Sequence, residues 1–95
     1  MKLLSSNEID VALTELKNWI YNQNSFEKEF VLADFLHVLS LVNQVGNAAE
    51  EMNHHPDIFI HSWNKVKFIL STHSKGGITE LDILLAKKIE EVSKK

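Results

Sequence analysis

The sequence predicts a single α+β domain over residues 1–95, of order α-β-β-α-β-β-α, with a four-stranded antiparallel sheet covered by helices on one face. Three observations predict it. Three stretches carry apolar residues every three or four positions, each opened by a helix-capping residue. Between them lie two pairs of short segments with strand-like alternation, joined by polar turns. The 95 residues are room for one domain, which by surface scaling buries roughly 60–65% of its unfolded surface. With 44% apolar and 24% charged residues, one Pro and three Gly, the composition is that of a folded chain rather than a disordered or fibrous one.

Taken in order, Ser5-Ser6-Asn7-Glu8 has capping-box spacing, and Ile9, Ala12, Leu13 and Leu16 follow on one face, which predicts a helix over 6–17. Trp19-Ile20-Tyr21, a polar Asn22-Gln23-Asn24-Ser25 and then Phe26 to Val31 predict a hairpin with Phe26 and Phe30 on one face. Asp34 caps a longer helix in which Phe35, Val38, Leu39, Val42, Val45, Ala49 and Met52 recur until Pro56 stops it. Gly46 lies inside that helix, where Gly costs about 1 kcal/mol against Ala, so a close approach of another backbone is expected there. Residues 57–62 and 65–72 read as two more strands, with Val66, Phe68 and Leu70 alternating against Lys65, Lys67 and Ser71. Ser74-Lys75-Gly76-Gly77 is a turn. Thr79 and Asp82 open a last helix with Leu81, Leu84, Leu85, Ile89 and Val92 on its stripe, and Lys94-Lys95 suits the negative end of its dipole.

Several function classes are disfavoured at once. No Cys is present, which removes disulfides, thiolate zinc sites, iron–sulfur clusters and a cysteine nucleophile, and fits a reducing, cytoplasmic setting. Polar and acidic residues follow Met1-Lys2-Leu3-Leu4 before a signal-type apolar run forms, and no stretch is long enough to span a membrane. A net charge of −3, with ten Lys and no Arg, argues against a nucleic-acid partner, because the bidentate guanidinium contact is missing.

Five His remain, three of them at element ends: His54 and His55 after the long helix, His73 after the fourth strand. Glu50 precedes His54 by one helical turn and Glu51 precedes His55 by one, so each imidazole is expected to have a carboxylate that orients it or raises its basicity. The plainer readings are a His-His pair serving as dipole partner, His73 as a solvated loop residue, and Asp82 as a cap fully explained by Thr79-x-x-Asp82. His37 and His61 read as surface or strand-face residues, and Trp63 as core packing or pocket wall. Zinc on His54, His55 and His73 is disfavoured because adjacent His rarely chelate one ion well. A Ser-based hydrolase lacks the Gly-x-Ser-x-Gly elbow, and Gly76-Gly77 lacks the phosphate-loop pattern.

Glu50-Glu51-Met52-Asn53-His54-His55-Pro56, Trp63-Asn64-Lys65-Val66, Leu70-Ser71-Thr72-His73, Gly76-Gly77-Ile78-Thr79 and Asp82 resemble, in order and spacing, the signature of the pterin-4a-carbinolamine dehydratases. The resemblance extends from Leu16-Lys17-Asn18-Trp19 to Leu85-Ala86-Lys87-Lys88-Ile89, nearly the whole chain. It implies a homodimer or dimer of dimers, no metal or organic cofactor, and dehydration of the 4a-hydroxytetrahydropterin left by aromatic amino acid hydroxylases to a quinonoid dihydropterin. By the same resemblance His54 and His73 are the proton-transfer pair, His55 binds or orients the ring, and Glu50 polarises His54. Pterin contacts fall on Asn53, Ser71, Thr72 and Ser74, partly through backbone groups. Asn53 stands where animal enzymes have Asp, and Ile58 where Trp is frequent, within the longer of the family's two spacers. Animal relatives also dimerise a transcription factor, so an interaction module using the outer side of the long helix is the rival expectation. An auxiliary role in another pterin pathway, such as that of molybdopterin, is the third.

Overall fold

The computed structural model describes residues 2–94; Met1 and Lys95, which entered the leader and dipole readings, lie outside them. The elements are α1 (Ser6–Glu15), β1 (Ile20–Asn22), β2 (Ser25–Val31), α2 (Phe35–Met52), β3 (Asp57–His61), β4 (Lys65–Leu70), a short 3-10 turn (His73–Lys75) and α3 (Glu80–Ser93). The α-β-β-α-β-β-α order is therefore observed, and the strands form one antiparallel sheet ordered β1-β2-β4-β3.

Local chemistry accounts for most boundaries. The Ser5 and Glu8 capping box forms with both of its bonds, and so does the one between Thr79 and Asp82. The Asp34 carboxylate accepts the His37 N–H at the start of α2. α1 is shorter than expected. It stops at Glu15, and a left-handed Asn18 (φ 71°) turns the chain so that Leu16 and Trp19 both reach the core. In the β1–β2 hairpin, Asn22 pairs with Ser25 across a two-residue turn in which Gln23 and Asn24 both have positive φ, the hand that matches strand twist. The third and fourth strands each end short of the predicted 62 and 72.

Register places Phe26, Lys28 and Phe30 of β2, Val66, Phe68 and Leu70 of β4, and Ile58 and Ile60 of β3 on one face. That face carries the core: Phe26, Val66, Phe68 and Leu70 are fully buried against Val38 and Val45 of α2 and Leu85 and Ile89 of α3. Lys28 is tolerated among these apolar neighbours because its ammonium lies 2.6 Å from Glu90, which also accepts the Trp19 indole N–H at 3.0 Å.

Two expectations are overturned. At Gly46 nothing lies within 4 Å of where a Cβ would stand, so no backbone approaches it and the glycine marks no contact within this chain. Trp63 is 63% exposed in the β3–β4 loop, where it and Ser62 are left-handed. The loop carries the indole away from the core, and it neither packs there nor lines any of the clefts described below.

Candidate active site

The end of α2 sets the site. Asn53 adopts the left-handed conformation (φ 52°, ψ 41°), with the Asn53 N–H on the Glu50 carbonyl and the His54 N–H on the Ala49 carbonyl, both at 3.1 Å. These are the two bonds of a Schellman motif, and Asn is one of the few side chains that fits the left-handed position. Asn53 thus has a structural role besides the pterin contact expected of it. Its reversal also breaks the helical spacing on which the Glu50–His54 and Glu51–His55 pairings rested.

The pairs that form are different. Glu50 Oε1 lies 2.7 Å from His55 Nε2, in an exposed pair. His54 turns inward and places Nε2 2.6 Å from Asp82 Oδ1 at the start of α3. Asp82 is completely buried, and the His54 side chain is 10% exposed. The other carboxylate oxygen, Oδ2, accepts the Thr79 N–H at 2.9 Å and the Thr72 hydroxyl at 2.8 Å. Asp82 is therefore more than a cap. The one carboxylate closes the first turn of α3, holds the end of β4 through Thr72 and anchors His54 from the end of α2. The sequence signal for it is the later Asp of the motif, of which Thr79-x-x-Asp82 capping explains only one of the three bonds.

Because Asp82 can only accept, His54 Nε2 carries the hydrogen and Nδ1 is the nitrogen left for a substrate. The same logic gives His55 an Nε2–H held by Glu50 and an open Nδ1. His73 is exposed at the first position of the 3-10 turn and has no carboxylate partner among the described residues. Since Thr72 is bonded to Asp82 and precedes His73 directly, the Asp82 network connects the backbone positions of His54 and His73.

The expected pterin contacts are sorted by the same geometry. Ser71 is half-buried and Ser74 exposed. Thr72 is a different case. Its N–H donates to the Gly77 carbonyl at 2.8 Å, its carbonyl accepts the Lys75 and Gly76 N–H groups at 2.9 Å, and its hydroxyl is engaged by Asp82 and Thr79. Every polar group of Thr72 is engaged within the chain and the residue is buried, so it keeps no donor of its own for a pterin.

Two other histidines form exposed carboxylate pairs, His37 with Asp34 and His61 with Glu29, each at 2.6 Å. In both, the hydrogen bond from the imidazole holds the carboxyl below its usual range. Among the described residues no group of three or more His, Cys, Asp or Glu is gathered to hold a metal ion. A cleft of about 510 Å³ lies between the N-terminal segment and α3, lined by Lys2, Leu4, Glu8, Glu80 and Ile83; two smaller ones border α2 and the open face of the sheet. None of these three clefts is lined by His54, His55 or His73; His55 and His73 are exposed, and His54 is buried.

A protein from Sulfurisphaera tokodaii named "Putative pterin-4-alpha-carbinolamine dehydratase" is 46% identical over 92 residues, covering 97% of this chain and 98% of its own. One of the same name from Metallosphaera sedula is 42% identical over 94 residues, covering 99% and 97%. The crystal structure of a transcriptional coactivator/pterin dehydratase from Brucella melitensis superposes with a TM-score of 0.89 at 32% identity, covering 96% of this chain and 98% of that one. A pterin dehydratase-like protein identified as a RuBisCO assembly factor shares the fold at 14% identity and a TM-score of 0.65, covering 79% and 86%. The family profile described as pterin 4 alpha carbinolamine dehydratase matches residues 2–92, and it is to this family that the chain belongs.

Proposed function

We propose that the chain dehydrates a 4a-hydroxytetrahydropterin to the quinonoid dihydropterin, without metal or organic cofactor, by histidine acid–base chemistry. The observation that carries the reading is the buried Asp82–His54 pair, a hydrogen-bonded imidazole with one nitrogen fixed and the other free. Dehydration needs an acid that protonates the C4a hydroxyl as the C–O bond breaks. It also needs a base that takes the proton of the adjacent ring nitrogen as the C–N double bond forms. Imidazoles with a reference pKa near about 6.5 serve either role at neutral pH. His54 and His73 are the proton-transfer pair, His55 with Glu50 orients the ring, and Asn53, Ser71 and Ser74 contact the pterin. Asp82, not Glu50, polarises His54. Freshly generated 4a-hydroxytetrahydropterin mixed with the protein in stopped flow is expected to dehydrate well above the buffer rate; equality with buffer rejects the reading.

The substrate would come from an aromatic amino acid hydroxylase, and the lack of Cys supports a reducing, cytoplasmic setting. No described helix is long and apolar enough to cross a membrane.

One observation favours a second reading, an interaction module working as a homodimer or homotetramer. Phe35, Leu36 and Leu39 on the outer side of α2 are 47%, 73% and 37% exposed, an apolar strip that a second chain would cover. Light scattering should show a dimer or tetramer. A dimer or tetramer that is silent towards pterin but captures another protein stoichiometrically would favour the module alone.

A further inference from the structure

The buried threonines beside Asp82 have a part in the chemistry that their side chains alone do not suggest. We propose that Thr72 and Thr79 are positioning residues, which act through Asp82 to fix the ring nitrogen that His54 presents. The inference deepens the dehydration reading and rests on it for its catalytic consequence.

The hydrogen-bond directions follow from counting donors. Thr72 has one hydroxyl hydrogen, and it goes to Asp82 Oδ2 at 2.8 Å. The bond between the two threonine hydroxyls, also 2.8 Å, must then be donated by Thr79. Thr79 Oγ1 in turn accepts the Leu81 N–H at 3.3 Å. The chain of donors runs from Leu81 through Thr79 and Thr72 to Asp82. Oδ2 also receives the Thr79 N–H at 2.9 Å, which fills both of its accepting directions and leaves Oδ1 for the His54 Nε2–H at 2.6 Å. Thr79 and Asp82 are fully buried and Thr72 is 8% exposed, so water does not compete for these positions.

A carboxylate held at both oxygens cannot rotate, and an imidazole held by a fixed carboxylate keeps one tautomer and one ring plane. Replacing the Thr72 hydroxyl by a methyl group leaves the shape of the side chain and removes one donor from Oδ2. Asp82 can then turn, and His54 loses its fixed presentation. Displacement of a reacting group on the order of 1 Å costs up to about a hundredfold in rate. Thr72 itself touches no substrate in this account, so binding is left alone.

The test joins two measurements on the full chain. Long-range ¹⁵N–¹H correlation of the neutral His54 ring reports the tautomer without any pterin present. The wild type is expected to show Nε2–H alone, Thr72→Val a mixture, and Thr72→Ser the wild-type pattern. In the dehydration assay Thr72→Val should lower kcat at least about tenfold with KM within about twofold, and Thr72→Ser should recover it. A wild-type ring with its hydrogen on Nδ1 overturns the proposal without recourse to a variant, which covers the case in which Thr72→Val fails to fold. A folded Thr72→Val with the wild-type tautomer and kcat overturns it too, as does a raised KM at unchanged kcat, which would make Thr72 a substrate contact after all. A protein silent towards pterin with the expected tautomers rejects dehydration and the catalytic part of this proposal, while the positioning geometry stands.

Discussion

His54 and His55 are neighbours in sequence, and each holds a carboxylate through Nε2 at nearly the same distance, 2.6 Å and 2.7 Å. Their surroundings differ. The side chains of His54 and Asp82 are 10% and 0% exposed, those of His55 and Glu50 are 55% and 78% exposed. Water competes for the second pair and screens it, whereas the first is backed by the Thr72 and Thr79 donors. His37–Asp34 and His61–Glu29 repeat the exposed case at 2.6 Å. Bond length therefore does not separate the two kinds of pair; burial and the number of donors on the carboxylate do.

The largest effects should come from the buried side of this comparison. Asp82→Ala leaves the Thr79 N–H, the Thr72 hydroxyl and His54 without their acceptor, and is expected to lower unfolding free energy by about 3–5 kcal/mol in urea titration. His54→Ala removes the donor to Asp82 Oδ1 and should reduce both stability and turnover. A loss in either variant no greater than a surface substitution would break the contrast with His55. Next, His73→Ala should cost about 10²–10⁴ in dehydration rate while its melting curve is unchanged, because the residue is exposed and without a carboxylate partner among the described residues. Full turnover in that variant would remove His73 from the proton-transfer pair. Glu50→Gln should be milder: less than about tenfold in turnover and within about 1 kcal/mol in stability, as for other screened pairs. Equal costs for Glu50→Gln and Asp82→Ala would mean that burial is not what separates them.

The smallest effect concerns pH. The carboxyl of Asp34 is held below its usual range by the hydrogen bond from the His37 imidazole. Its folded-state pKa being the lower one, it contributes stability above its unfolded value and loses it as pH falls through the folded value. Asp34→Asn keeps a good cap without the charge, so its melting temperature should depend less on pH below about 4 than that of the wild type. Identical acid limbs would show that the pair is silent.

The three caps were legible because each is a bond within four residues of sequence: Ser5 with Glu8, Asp34 with His37, Thr79 with Asp82. The alternation that buries Val66, Phe68 and Leu70 was legible for the same reason. His54–Asp82 spans 28 residues, and the helical spacing that points His54 to Glu50 is broken at the left-handed Asn53. Trp63 shows a related limit. Its side chain suggests a core, but the left-handed loop that carries it decides its direction. Gly46, a mid-helix glycine, suggests a close contact, and the chain supplies none within 4 Å of its Cβ position.

The Thr79–Asp82 box ties the order of folding to the appearance of the site. Asp82 reaches its position only when the first turn of α3 has closed, and His54 is held only after α2 has docked beside it. A chain with α3 still unwound has His54, His55 and His73 and no arranged pair among them. The lifetime of the assembled site is then bounded by the opening of a single helical turn, which exchange of the Thr79 amide hydrogen would report.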